Sequence, residues 1–285
     1  MRIPALLAPA TCLLAGLWAA ASPGQDGGIP RKHDPWGRFE PGAWKLVRVV
    51  AETLDEKGLV VSTSTKDTTV ILTAVGKDGV TLEVQTTVEV AGKRFDAEPQ
   101  VVKLGFHGEI LSKDLKVQPP VEGSVTLDGR KIPCRVYGLE SAGSTSKTVA
   151  KVYYADSTPP YVLRRESLTT DPGGENTLSE TSVEVEAREM PWKLLNHRKP
   201  ATIIKSTQKH AKGTIITWEI ASSEVPGGVF AHTSKELDQN GRVTRRSTLE
   251  LVSFGMQCEE DDRPGTVGRR RRPRLRDAST FYQTP

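Results

Sequence analysis

The sequence predicts an all-β fold: one large, curved antiparallel meander sheet, a half-barrel or open barrel, with little helix. Three observations carry that expectation. Val80, Leu82, Val84, Val88 and Val90 alternate with polar residues, the period of a half-buried antiparallel strand. Glycine-containing turn signals recur between runs of this type. Beyond the N-terminus, no stretch sustains the 3.6-residue apolar stripe of an amphipathic helix. Curvature lets a single sheet of this kind bury its own apolar face.

In chain order, Met1-Arg2 precedes an apolar stretch through Leu17 and Trp18 and then Ala19-Ala20-Ala21. A cationic start, a short apolar middle and small residues at the end describe a secretory signal peptide over 1–21. Pro4 and Pro9 interrupt the stretch, so no transmembrane span is expected once it is cleaved. Residues 22–43, rich in Gly and Pro, read as an extended lead-in. The β domain is expected over 44–254, and 255–285 as a disordered tail.

That tail holds six arginines between Arg269 and Arg276, and removing them with Arg2 turns the net charge from +4 to −3. The basicity therefore belongs to the tail, which is suited to contacting anionic surfaces. Export argues against nucleic acid as a partner. The chain is 36% hydrophobic and 26% charged, which excludes a polytopic membrane protein, and three cysteines exclude a disulfide-dense scaffold.

Within the domain, the β-branched run 67–75 ends at the turn Gly76-Lys77-Asp78-Gly79. Similar turns are expected at Glu56-Lys57-Gly58, Ala91-Gly92-Lys93, Asp128-Gly129 and Asn240-Gly241. At the last, Asn240 and Gly241 should both take positive φ in a type I′ hairpin. Arg188 to Leu195 could form one helical turn starting at Pro191. A faint self-similarity appears at an offset of 66 residues. Thr181-Ser182-Val183-Glu184-Val185 matches Ser247-Thr248-Leu249-Glu250-Leu251, and Ala155 to Pro160 lies over Ala221 to Pro226. Two duplicated strand units joined edge to edge would give one long sheet.

Chemistry-bearing motifs are scarce. No Gly-x-Ser-x-Gly nucleophile elbow occurs, and Ser144 sits in a polar turn. His33, His107, His197, His210 and His232 are dispersed without metal-ligand spacing. His232, Glu236 and Asp238 would share one strand face; exposed polar residues near a hairpin are the plainer reading, and no metal is assigned. Asp238-Gln239-Asn240-Gly241 starts like a calcium loop but lacks its later ligands. No phosphate-binding loop is present, and no cofactor is expected. Cys134, in a strand expected over 131–139, reads as a small buried hydrophobe. A bridge to Cys258 is open to the compartment but not to inference from sequence. Trp44, Tyr137, Tyr154, Tyr161, Trp218 and Phe230 are the candidate ligand-lining aromatics, with plain core packing as their alternative.

The segment Trp218-Glu219-Ile220-Ala221-Ser222-Ser223-Glu224-Val225-Pro226-Gly227-Gly228-Val229, late in a meander behind a signal peptide, resembles the lipoprotein-localisation carrier superfamily and its secreted bacterial relatives. In that family a strand ending in an aromatic crosses a Pro turn and returns as an apolar strand. The resemblance spans 44–254 in outline and implies a half-barrel sheltering acyl chains beneath helical cover. This sequence departs from it in having almost no amphipathic helix for a lid.

These readings converge on an exported, non-catalytic envelope protein, secreted or periplasmic. It would bind a lipid or acyl ligand, or an envelope protein, on a curved sheet. The alternative is a secreted hydrolase that gathers His107, His210, His232, Glu236 and Asp238 from separate strands.

Overall fold

The computed structural model describes residues 28–111 and 114–257; the segment expected as a signal peptide, Cys258 and the arginine segment lie outside the described residues. The chain forms one open antiparallel sheet of fifteen strands. They are β1 (Trp44–Leu54), β2 (Val60–Val75), β3 (Gly79–Val90), β4 (Lys93–Asp96), β5 (Gln100–Gly105), β6 (Lys116–Val117), β7 (Val121–Leu127) and β8 (Arg130–Ala142). There follow β9 (Lys147–Tyr154), β10 (Val162–Thr170), β11 (Thr177–Leu194), β12 (His197–His210), β13 (Gly213–Ala221), β14 (Val229–Asp238) and β15 (Val243–Gly255). The five turns expected from sequence all fall between strands. Sequential strands pair from β1 to β4 and from β7 to β15; β5 pairs with β3 and β6 with β8, and β1 pairs with β15, which sets the β1–β5 hairpins beside the C-terminal strand.

The sheet is rolled. Leu72, Val80 and Leu82 of β2–β3 share one buried cluster with Tyr137, Leu139, Ala150, Val152 and Tyr154 of β8–β9, although those strands lie towards opposite ends of the strand order. The face that carries these residues is therefore the inner one. Following the register round it, the floor is apolar, but the middle rung is Val183, Ser206, Thr217, Ser234, Ser247, Ala51 and Ser64. Most of that inner rung is lined by hydroxyls.

The duplication is written into the register. Residues 121–187 and 188–254 build the same five-strand unit. Leu127↔Arg130, Arg135↔Tyr154 and Arg165↔Val152 in the first repeat correspond to Leu194↔His197, Thr202↔Ala221 and His232↔Glu219 in the second. These equivalences run at an offset of 67, not 66. The first repeat closes its β10–β11 loop by Asp171 N–H to Asn176 O, and the second by Asp238 N–H to Arg242 O, one residue shorter. Beyond that loop the offset becomes 66. Strand β11 serves both repeats, and its register break between Ala187 and Met190, with Glu189 at φ +55°, marks the seam.

Each repeat has its own core. Leu127, Cys134, Leu163 and Val185 in the first correspond to Leu194, Ala201, Phe230 and Leu251 in the second. Burial raises the Cys134 thiol pKa, consistent with an inert hydrophobe.

Three sequence expectations are corrected. Residues 28–43 are not merely extended: Ile29, His33, Asp34, Trp36 and Ala43 are buried, and Arg31–His33 form a 3-10 turn. The 188–195 segment is strand and hairpin rather than helix, with Pro191 opposite Pro200. Two prolines can face one another only in a non-hydrogen-bonded pair, where neither N–H is needed. Asn240 does not take positive φ; only Gly241 does, at +79°. Asp238 instead accepts N–H bonds from Asn240 and Arg242 at its carboxylate, and Gly241 N–H reaches the Asp238 carbonyl. This is a type I turn followed by a left-handed glycine, repeated at Asp55–Gly58 and Asp171–Gly174. Gly241→Val should therefore lower stability by about 1–3 kcal/mol, whereas Asn240→Val should leave the melting temperature within about 2 °C, as surface changes usually do. Thermal denaturation of both variants distinguishes this turn from a type I′ one.

Candidate functional site

The two repeats present equivalent seven-residue loops at the same end of the sheet, 155–161 and 222–228. Their hydrogen bonds match: Ala155 N–H to Tyr161 O and Tyr161 N–H to Thr158 O, against Ser222 N–H to Gly228 O and Gly228 N–H to Val225 O. Tyr161 and Gly228 hold the same left-handed backbone, at φ +75° and +74°.

The lead-in is wedged between these loops. His33 stacks on Tyr161 with ring centroids 3.7 Å apart and shares a 2.6 Å hydrogen bond between its Nδ1 and the Tyr154 hydroxyl. Burial lowers the His33 pKa, so the ring is neutral at pH 7. Two residues on, Pro35 O accepts from Gly227 N–H, and the next residue's ring, Trp36, lies where a Cβ on Gly227 would stand. Glycine is required there by that contact and by its φ of +72°. Asp34 ties the wedge into shape by accepting the Trp36 and Gly37 N–H groups, and Arg38 Nε donates to its carbonyl.

Between the wedge, the second loop, the β11 seam and β12 is a cavity of about 260 Å³. Pro35, Pro160, Pro200, Ile204 and Val229 give it apolar walls, and Arg38, Arg188 and Glu189 add charge. The buried Arg188 Nε lies 3.5 Å from Asp128 Oδ2, an ion pair without hydrogen-bond geometry.

Beside it on the inner face stand Lys45, Glu219 and His232. Lys45 Nζ donates to Val229 O at 2.8 Å and lies 5.6 Å from the Trp36 ring centroid. Burial lowers its pKa to about 8, against the opposing pull of Glu219. Burial also raises the Glu219 pKa and lowers that of His232. A second polar group comprises His107, Glu109 and Tyr137, whose Nε2, Oε2 and hydroxyl are buried without partners among the described residues.

Of the candidate aromatics, the fold brings Tyr137, Tyr154 and Tyr161 together, packed with the wedge rather than open. Phe230 belongs to the second repeat's core, Trp218 is exposed beneath Lys205, and Trp44 donates to Gln257 O. The hydrolase candidates are not gathered. His107 sits beside Glu109, His210 ends β12, His232 faces Glu219 across the ladder, and Asp238 is engaged in its turn. No cluster of three His, Cys, Asp or Glu suited to a metal occurs among the described residues. Sequence reasoning missed Lys45, Glu219 and the Arg38–Arg188 pair.

Linkage gives Lys45 a measurable sign. Its folded pKa lies below the unfolded value of 10.5, so the unfolded chain binds more protons between about pH 8 and 10.5. Stability should rise with pH across the lower part of that window, and Lys45→Met should remove the rise. Urea denaturation at pH 7.5, 8.5 and 9.5 measures this; equal slopes for both proteins would contradict it.

No family model and no curated protein matches the chain. Among solved structures, it is similar to a protein of Bacteroides fragilis NCTC 9343 assigned as exported, with a YMCC-like fold. That likeness has 12% identity and a TM-score of 0.33, over 76% of this chain and 97% of the other. A protein of Parabacteroides distasonis ATCC 8503 assigned as a lipoprotein gives 12% and 0.31, again over 76% and 97%. A DUF1329 family protein of Desulfovibrio piger ATCC 29098 gives 9% and 0.28, over 74% and 84%. At scores this low the fold described above stands on its own strand order.

Proposed function

We propose that this is an exported, non-catalytic envelope protein that binds a small, largely apolar ligand in the cavity between its two repeats. The cavity itself carries the reading: about 260 Å³, walled by proline, isoleucine and valine, with a few charged groups at fixed places. Export rests on the N-terminal 21 residues, which have the three-part pattern of a signal peptide. Resemblance to the lipoprotein-localisation carriers would put acyl chains across the inner face. The hydroxyl-bearing rung is poorly suited to that: Thr217 and Ser234 bond to each other, but apolar chains would leave the hydroxyls of Ser206 and Ser247 unpaired. The apolar cavity is the better host.

Calorimetric titration with small apolar carboxylates, octanoate and 4-hydroxycinnamate, tests the reading. At least one should bind wild-type protein, and Ala221→Leu, which pushes a larger side chain into the cavity, should weaken it at least about tenfold, or about 1.4 kcal/mol. Failure of both to bind, or binding indifferent to Ala221→Leu, would overturn it.

A further inference from the structure

The cavity has a counterpart in the first repeat, and there it is full. At the offset of 67, Ile204, Ala221 and Gly228 occupy the backbone positions of Tyr137, Tyr154 and Tyr161. Ile204 and Ala221 line the cavity together with Gly228. In the first repeat the three corresponding phenol rings fill the equivalent ground. Tyr137 and Tyr154 meet edge to face at 6.2 Å, and Tyr161 lies flat on His33. At three matched backbone positions the first repeat carries a phenol ring and the second carries none, while the frame around them is the same.

The frame remains suited to a ring. Val162 and Val229 are equivalent neighbours of the loop, as are Pro133 and Pro200 on the inner strand. The lead-in crosses both repeats, so Pro35 and Arg38 bound the open site while His33 caps the filled one. A cavity of about 150 Å³ already holds benzene, so about 260 Å³ leaves room for one ring with a substituent. Arg38 lies 6.0 Å from the Tyr161 ring centroid, a cation set beside an aromatic face, and it lines the empty side too. Of the cavity's charged residues, two are arginines and one is Glu189. Asp128 pairs with Arg188 Nε at 3.5 Å from outside the cavity lining, without hydrogen-bond geometry.

We infer that the cavity of the second repeat is a site for a planar aromatic monoanion, a phenolic or aryl carboxylate, which takes the place of the first repeat's tyrosine rings and balances the excess of arginine in the cavity lining. The inference rests on the proposed ligand-binding reading and sharpens it from apolar ligand to aromatic acid.

The probes are 4-hydroxycinnamate, its neutral analogue 4-hydroxycinnamyl alcohol, and octanoate, titrated calorimetrically into the full chain. The expected result is that 4-hydroxycinnamate binds at least about tenfold tighter than octanoate. Restoring the first repeat's residues with Ala221→Tyr and Gly228→Tyr should abolish its binding while the protein stays folded. That backbone already carries Tyr161 at φ +75° in the first repeat. Should the double variant misfold, Ala221→Leu alone serves the same end. Arg188→Gln should weaken 4-hydroxycinnamate about tenfold and leave the alcohol unchanged, as loss of a cation from the lining of an anion site requires. Octanoate binding as tightly as 4-hydroxycinnamate would overturn the aromatic assignment while the broader reading stands. An equal effect of Arg188→Gln on acid and alcohol would overturn the anionic one. No binding by any probe would remove both readings.

Discussion

The structure depends on one contact set, the lead-in driven between two copies of the same loop. A rolled sheet with free edges buries its inner face only if something stops its open end, and here a short segment does so. His33 is held by Tyr154 and Tyr161 of the first repeat, while Pro35 and Trp36 are held by Gly227 of the second. Burying one large aromatic side chain contributes roughly 1.5–3 kcal/mol, a sizeable share of the 5–15 kcal/mol that typically separates folded from unfolded domains. The cavity takes its walls from the wedge, the β11 seam and the second repeat, with Pro159 and Pro160 of the first loop.

Duplication followed by divergence explains why the site is where it is. Both repeats keep the register, the left-handed position of the loop and the apolar residues of their private cores. They differ where side chains point towards the wedge, tyrosines in one and Ile, Ala and Gly in the other. Truncating large side chains in a fixed frame leaves space, because a packed surround relaxes only partly. The charged residues on the inner face follow the same logic: Arg165 and His232 are equivalent positions, and Val152 corresponds to Glu219.

Much of this was legible in the sequence. Strand alternation and glycine turns depend on neighbours a few residues apart, so the β-meander and its hairpins could be read directly. At an offset of 66 the strands 181–185 and 247–251 match in true register because both copies lie beyond the loop of unequal length. The Pro loops, which precede it, match at that offset only one residue out of register. The Asp238 turn departs from the expected type I′ because Asn-Gly suggests a two-residue loop, while the carboxylate two residues before Asn240 organises a different one. The wedge was not legible. Gly and Pro content describes a chain without regular structure, and nothing local shows that His33 will meet Tyr154 more than a hundred residues later. Lys45 and Glu219 were equally hidden, since β1 comes near β13 only through the β1–β15 pairing that joins the ends of the chain.

The claim that one wedge holds both repeats is tested most directly by amide hydrogen exchange of the folded protein and of Trp36→Ala. Trp36 touches the second loop, so a merely local role would expose only 222–228. The account predicts that the amides of Ala155, Tyr161, Ser222 and Gly228 lose protection together, while those of Gly58 and Gly241 at the opposite end of the sheet are unchanged. Loss confined to Ser222 and Gly228, with Ala155 and Tyr161 protected as before, would contradict it.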